Sequence, residues 1–261
     1  IIIHHPFPLA FLPLLFLKKK PTIIWYHCDI VRQKISKLAF LPFINYGLKL
    51  AKKIIVSTTR LSHFSPLLKK HQNKCQTIHF GLDLNYYQLT PEVSLEAEKI
   101  KKTYSPEQKL LLSVGRLVYY KGYKYLIEAM ESIPAQLLII GTGPEKESLT
   151  KLIKNKKLEN KISIIDPVDD LRPYYVASDI FVLPSCANSE AFGLVQLEAM
   201  AFNKPVINTD LTTGVPEVSV HKETGLTVPA RNSEELKQAI NKLLSNQELS
   251  QNYGKKAKQR V

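Results

Sequence analysis

From residue 110 onward, short apolar runs alternate with helical stretches. The runs are Leu110–Val114, Gln136–Ile140, Ile162–Ile165, Ile180–Leu183, Pro205–Asn208 and Leu226–Val228. Between and after them lie Tyr123–Ser132, Glu145–Asn155, Leu171–Ala177, Leu194–Phe202 and Ser233–Leu244, with helical spacing of apolar positions. Nearly continuous apolar runs separated by helices predict a parallel sheet covered on both faces, a doubly wound α/β domain. The N-terminal part predicts strands at Ile1–His4, Thr22–Tyr26, Ile54–Ser57 and Thr77–His79. It predicts helices at Ile30–Leu41, Asn45–Lys53 and Ser62–Lys70, with Pro42 kinking or breaking the first helical stretch. Polar, charged Thr90–Lys109 reads as the boundary between an incomplete N-terminal domain, 1–105, and a C-terminal domain, 106–261. Leu236–Val261 reads as a closing helix, and no internal repeat or low-complexity segment is visible.

Phe7–Leu17 is strongly apolar but short, and it contains Pro8 and Pro13. A spanning helix needs roughly 20 apolar residues. A secretory signal carries its positive charges ahead of the apolar run, whereas Lys18–Lys20 follow it. Neither a transmembrane segment nor an intact signal peptide is expected. The chain opens without methionine inside Ile1-Ile2-Ile3, as a fragment or processed product would.

Composition places the chain among folded proteins: 44% of its 261 residues are hydrophobic and 23% charged. Cys28, Cys75 and Cys186 lie far apart, which excludes a disulfide framework or cysteine-rich zinc site and suits a reducing compartment. The net charge of +13 is uneven, because residues 1–74 hold 13 Lys/Arg against the single acid Asp29. Such a field attracts nucleic acid, anionic lipid or phosphorylated substrates, and equally describes a solvated lysine-rich surface. Lys34, Lys37, Lys49, Lys52 and Lys53 alternate with Leu38, Phe40, Leu41, Phe43 and Leu48, as in a helix lying in a bilayer interface. No helix-turn-helix, zinc-finger or RNP aromatic pattern supports nucleic acid.

In open α/β sheets, ligands sit beyond the carboxyl ends of the strands. After Leu110–Val114 come Gly115, Arg116 and Leu117, then Lys121 and Gly122. A glycine there lets a ligand approach the backbone, and two cations suit a diphosphate; both are also ordinary on a surface loop. Gly141-Thr142-Gly143-Pro144 is not a dinucleotide fingerprint, because Lys146 stands at the third glycine position; a tight turn opening the next helix fits better. In Pro184–Met200 a strand ends, a polar loop follows, and a helix starts near Gly193. Free amides at a helix start bind phosphate oxygens. Glu198 lies one turn beyond Leu194 on the same helix face, and Glu190 lies in the preceding loop. Two carboxylates around an anion site make sense for a ligand that also carries sugar hydroxyls, and they are also common helix-region acids.

Gly115-Arg116-Leu117 with Lys121-Gly122, and S-E-A-F-G-L-V-Q-L-E-A-M-A over 189–201, resemble the retaining glycosyltransferases of family 4. Supporting matches are Gly141–Pro144, Ala177–Ser185, Gly214–Val218 and Thr224–Pro229, and more loosely His4-His5-Pro6, Tyr26-His27 and His79–Asp83. The resemblance covers the C-terminal half throughout and is closest to bacterial enzymes that add mannose or a related sugar to lipid-linked glycans. It implies a GT-B-like fold, with two Rossmann-like doubly wound domains facing across a cleft. It also implies a chain truncated at both ends, lacking the first strands and glycine-rich loop and the tail of the last helix.

The resemblance implies roles as well. Arg116 and Lys121, beside Gly115, would neutralise the donor diphosphate. Glu198 would bond the ribose hydroxyls. Phe192, Gly193, Leu194 and Val195 would give backbone contacts to sugar and phosphate. Glu190 would bind the donor sugar, and His27 would reach it from the N-terminal domain. No D-x-D metal motif follows a strand, since Asp83-Leu84-Asn85 fails at its third residue, so transfer without metal or other cofactor is expected. Retention would proceed by same-face attack, with the departing phosphate as base. Asp166-Pro167 replaces a glycine frequent in relatives near the nucleotide base.

The expected activity is therefore transfer of a mannose-like hexose from a GDP- or UDP-linked donor to a lipid-linked or envelope glycan, as in lipopolysaccharide biosynthesis. The basic N-terminal part would dock on the inner face of the cytoplasmic membrane. The alternative is a non-catalytic sugar-nucleotide-binding remnant; a GT-B phosphorylase or epimerase and a nucleic-acid-binding module stand behind both.

Overall fold

The computed structural model describes residues 1–17, 20–30 and 34–261, and the side chains of 34–37 lie outside that description. Lys18, Lys19 and residues 31–33, with their part in the expected charge pattern and first helix, fall outside it too, as do the side chains of Lys34 and Lys37. The chain divides into two compact units. One comprises 1–80 with 188–192 and 211–217, and the other 81–187, 193–210 and 218–261. The expected single boundary at 105 differs from this division.

The first unit holds β1 (Ile2–His5), β2 (Ile23–Tyr26), α1 (Lys34–Leu50), β3 (Lys53–Val56), α2 (Thr59–Phe64) and β4 (Cys75–Thr77). Its strands are parallel in the order β1-β2-β3-β4, with Ile3 beside Ile24, Ile24 beside Ile54, and Ile54 beside Cys75. The apolar run after β1 forms a 3₁₀ helix, Pro8–Leu15, that buries Phe11 and Leu14. Among the described residues, no helix is long and apolar enough to cross a membrane.

All three expected helices change here, those over Ile30–Leu41 and Asn45–Lys53 being one helix, α1. Pro42 does not break α1, which runs through it for 17 residues. Beyond Pro42, Ile44 and Leu48 are fully buried, and Gly47 lies flush against the Phe11 ring, so packing outweighs the missing hydrogen bond. The helix expected over Ser62–Lys70 is instead α2. Thr58 caps it by accepting from the Leu61 N–H, and it stops at Ser65 in extended conformation. Ser65 precedes Pro66, which disfavours helical backbone, and its hydroxyl donates to Asp29 at 2.8 Å. Within this unit, Glu217 accepts from the α2 amides of Thr59 (3.1 Å) and Arg60 (2.8 Å). Arg60 Nε donates to the Leu211 carbonyl at 2.9 Å.

The second unit begins with α3 (Pro91–Tyr104), inside the segment read as a boundary. Thr90 caps it, Pro91 starts it, and Val93, Ala97 and Ile100 bury one face. There follow β5 (Lys109–Val114), α4 (Tyr123–Ala129), β6 (Ala135–Ile140), α5 (Lys146–Asn155), β7 (Ile162–Ile165), α6 (Arg172–Ala177), β8 (Ile180–Val182), α7 (Leu194–Ala201) and β9 (Val206–Thr209). After α8 (Val215–Val218) come β10 (Gly225–Val228), α9 (Ser233–Ser245) and α10 (Gln247–Arg260). The expected single C-terminal helix is thus two, because Asn246 leaves the helical conformation and caps α10 by accepting from the Leu249 N–H.

The six strands are parallel in the order β10-β9-β8-β5-β6-β7. The sequence order reverses between β5 and β8, and this switch point opens a crevice at the carboxyl ends of the strands. Leu111, Leu137, Ile139, Val182 and Ile207 form the buried centre of the sheet, and α4, α5 and α9 cover it.

Candidate nucleotide-sugar site

At the switch point β5 ends in Gly115, whose φ of +147° a side chain rarely adopts. A Cβ there would stand 3.1 Å from Nζ of Lys121 and 3.2 Å from the Tyr123 hydroxyl. Lys121 is only 8% exposed, so its ammonium is held against the backbone at the strand end. The Tyr123 hydroxyl donates to the Gly115 carbonyl at 3.0 Å and fixes the turn from the start of α4. Arg116 is exposed and lines a cavity of about 480 Å³ with Gly115, Gly141, Thr142, Pro167 and Leu171.

The expected tight turn at Gly141–Pro144 is present. Leu117 N–H donates to Thr142, and Glu145 N–H donates to Leu117, so the turn lies along the β5 exit. Pro167 lines the cavity, whereas Asp166 accepts from Lys146 at 2.6 Å and is not among the lining residues.

The loop after β8 packs beside the β5 exit, with the Cys186 N–H donating to the Tyr120 carbonyl at 2.7 Å. The second unit resumes at Gly193, in left-handed conformation (φ +76°), and α7 starts at once. Any Cβ at Gly193 would meet Leu183 at 2.6 Å, so only glycine fits. No side chain caps this helix start. The amides of Leu194 and Val195 belong to the first turn, which has no acceptor within the helix, and positive potential gathers there. Gln196, fully buried, accepts from Asn208 at 2.9 Å and anchors α7 to β9.

Glu198 stands on the second turn of α7. Its Oε2 accepts from the buried Tyr175 hydroxyl of α6 at 2.8 Å. Burial raises the Glu198 carboxyl above its ordinary range, and the Tyr175 hydrogen bond opposes that rise. Among the described residues Oε1 accepts no hydrogen bond, so one face of the carboxylate is held and the other is presented. The Tyr87 hydroxyl is pushed up to about 12, first by burial and then by the Glu198 charge.

The remaining predicted residues belong to the first unit. His27 follows β2 and stacks on His4 at 5.2 Å, with His4 Nδ1 and its Nε2 2.9 Å apart. Trp25 and Phe80 extend the stack, and Phe80 meets Phe192 edge-on at 5.1 Å. Burial, then the neighbouring His4, lowers the His27 pKa, so the ring is neutral near pH 7. Glu190 is buried, and beside it the Ala191 carbonyl accepts from Gly214 at 2.8 Å.

The second unit therefore gathers Gly115, Arg116, Lys121, Gly193, Leu194, Val195 and Glu198 at one sheet edge, while His27, Glu190 and Phe192 lie in the first. Sequence reasoning missed Tyr123 and Tyr175, which position the strand-end turn and the carboxylate. Tyr175 bonds a residue 23 positions away, and no local pattern announces that pairing. Among the described residues no group of three or more His, Cys, Asp or Glu side chains is placed to hold a metal ion.

A six-stranded parallel sheet with glycine turns and cations at its switch point is a doubly wound nucleotide-binding architecture, and the fold is GT-B-like. The chain belongs to the glycosyl transferases group 1 family, whose profile matches residues 96–260. It is 29% identical to the O-antigen chain mannosyltransferase C of Escherichia coli, over 99% of this chain and 70% of the relative. It is also 29% identical to the D-rhamnosyltransferase WbpZ of Pseudomonas aeruginosa, over 99% of this chain and 68% of that protein. Its structure superposes on Anabaena HepE, solved in complex with UDP, with a TM-score of 0.86 and 20% identity. That match covers 99% of this chain and 72% of HepE. Family and fold make the protein a transferase.

Proposed function

We propose that this protein is a retaining glycosyltransferase of family 4. It moves a mannose-like hexose from a GDP- or UDP-linked donor to a lipid-linked or envelope glycan, without metal. The observation that carries the reading is the β5 exit, where a buried lysine ammonium lies against Gly115 beside Arg116 and the cavity. The names of the E. coli mannosyltransferase and the Pseudomonas rhamnosyltransferase support the sugar and acceptor class.

The barrier to transfer is departure of a sugar cation from a nucleotide diphosphate. Lys121, Arg116 and the first amides of α7 stabilise the charge that gathers on the leaving phosphate. They supply what a metal ion supplies elsewhere. The base occupies the cavity beside Gly141 and Pro167, and Glu198 Oε1 accepts from the ribose hydroxyls. Glu190 binds the donor sugar, and neutral His27 bonds a sugar hydroxyl without bringing charge. The departing phosphate takes the acceptor proton on the face it leaves.

Exposed Phe7, Leu9, Phe16 and Leu17 beside the basic N-terminal segment support docking on an anionic inner membrane face. Incubation with GDP-mannose and a lipid-linked glycan acceptor tests the activity. A product with the donor's anomeric configuration, formed equally with and without chelator, is expected. An inverted product contradicts retention, and loss of activity on chelation contradicts transfer without metal.

A further inference from the structure

At the opposite edge of the second sheet, where β5, β8 and β9 begin, lies a separate cavity of about 210 Å³. Lys109, Asn203, Lys204, Gln247, Ser250 and Gln251 line it above the apolar floor of Leu243 and Leu244. Asp179 is the one carboxylate among the described lining residues. It is already matched, accepting from Lys101 at 2.6 Å, Lys109 at 3.1 Å and the Leu110 N–H at 2.8 Å. Lys204 adds a third ammonium, which donates to a neutral carbonyl, that of Val176, at 2.9 Å. Burial pushes Lys204 down to about 8; Asp179 resists, and Lys101 and Lys109 add to the fall. Three ammonium groups surround one carboxylate, and of the three only Lys204 is deeply buried, so the cluster carries an excess of positive charge at the cavity.

We propose that this cavity binds a small oxyanion of the phosphate class, held by Lys109 and Lys204 and by the amide and hydroxyl groups of Asn203, Gln247, Ser250 and Gln251. The volume falls below the roughly 300–1,000 Å³ of drug-sized ligand pockets, so it suits a phosphate or a simple phosphomonoester rather than a nucleotide. The site lies at the amino ends of the strands, so its occupant does not compete for the β5 exit. The anion bridges β5, the entry to β9 and the first turns of α10, and it favours the protonated form of Lys204. Its affinity therefore falls as pH rises past about 8. Lys101, Lys109 and Asp179 are the other charged groups facing Lys204.

The test is acylation of the full chain with an amine-reactive ester at pH 8, read lysine by lysine from peptide masses. Inorganic phosphate is compared with chloride at equal ionic strength. Occupancy at several times Kd slows acylation of Lys204 by about fivefold, and exposed Lys255 is unaffected. The protection persists in Lys121→Gln, which separates this site from the donor site. Equal rates at Lys204 in phosphate and chloride overturn the proposal, as does protection lost in Lys121→Gln. Parallel arms with glycerol phosphate and with phosphatidic acid vesicles tell a soluble phosphomonoester from a lipid headgroup.

Discussion

At the residue scale, the Glu198 carboxylate is the most informative group. Tyr175 fixes one of its oxygens, and burial lifts its pKa. In the role proposed for Glu198, ribose hydroxyls donate best to the ionised carboxylate, so nucleotide affinity should fall as pH drops through its raised pKa. That acid limb begins above the usual glutamate range. Glu198→Gln keeps an acceptor for Tyr175 and loses the charge. It weakens nucleotide binding by about tenfold or more, flattens the acid limb and leaves the melting temperature near wild type. Tyr175→Phe removes the bond that lowers the carboxyl pKa and moves the limb to still higher pH. A calorimetric affinity series between pH 4.5 and 8 reads all three, and identical limbs in wild type and Tyr175→Phe would contradict the positioning role.

As candidates, Gly115, Arg116, Lys121, Gly193 and Glu198 were legible because the chain presents them in two compact stretches, each at a strand end. Tyr123 and Tyr175 were not. Their hydroxyls act across packed elements, and tyrosine in an apolar helix face looks like any core residue.

At the element scale, the strands of both sheets were legible to within about two residues, because all but β4 are nearly uninterrupted apolar runs, which have few other folded uses. Helix limits were less so, since tertiary bonds set them. Ser65 ends α2 by donating to Asp29 ahead of a proline, while α1 continues through Pro42 under the packing of Ile44 and Leu48. Pro42→Ala restores a backbone donor inside α1. It should stabilise the protein by about 1–2 kcal/mol, the helix-interior cost of proline less its restriction of the unfolded chain. A lower denaturation midpoint for Pro42→Ala would show that the helix bends there by necessity. The polar segment before β5 looked like a linker because α3 buries only a narrow face of Val93, Ala97 and Ile100. Thr90→Ala removes its cap and should cost about 1 kcal/mol in urea unfolding.

At the scale of the molecule, charge and sheet order matter most. Lys204 has a folded pKa of about 8 against the ordinary 10.5. Between those values the unfolded chain binds more protons than the folded one, so this residue makes stability rise with pH across that window. Lys204→Met removes that rise, which urea unfolding at pH 7.5 and 10 would detect; an unchanged pH dependence would contradict the buried position of the ammonium. The basic first unit, with Phe7 and Phe16 exposed, should float with anionic vesicles and be released by salt. Equal flotation with neutral vesicles would contradict the electrostatic part of that docking.

The reversal of strand order between β5 and β8 places the candidate site where doubly wound sheets bind nucleotides. On the proposed function, this crevice holds the nucleotide of a sugar donor. Calorimetric titration of the chain with GDP, UDP and ADP is the test. One-to-one binding of GDP or UDP without added metal is expected, weakened by both Lys121→Gln and Glu198→Gln. No binding of any of the three, or binding indifferent to both substitutions, would contradict it.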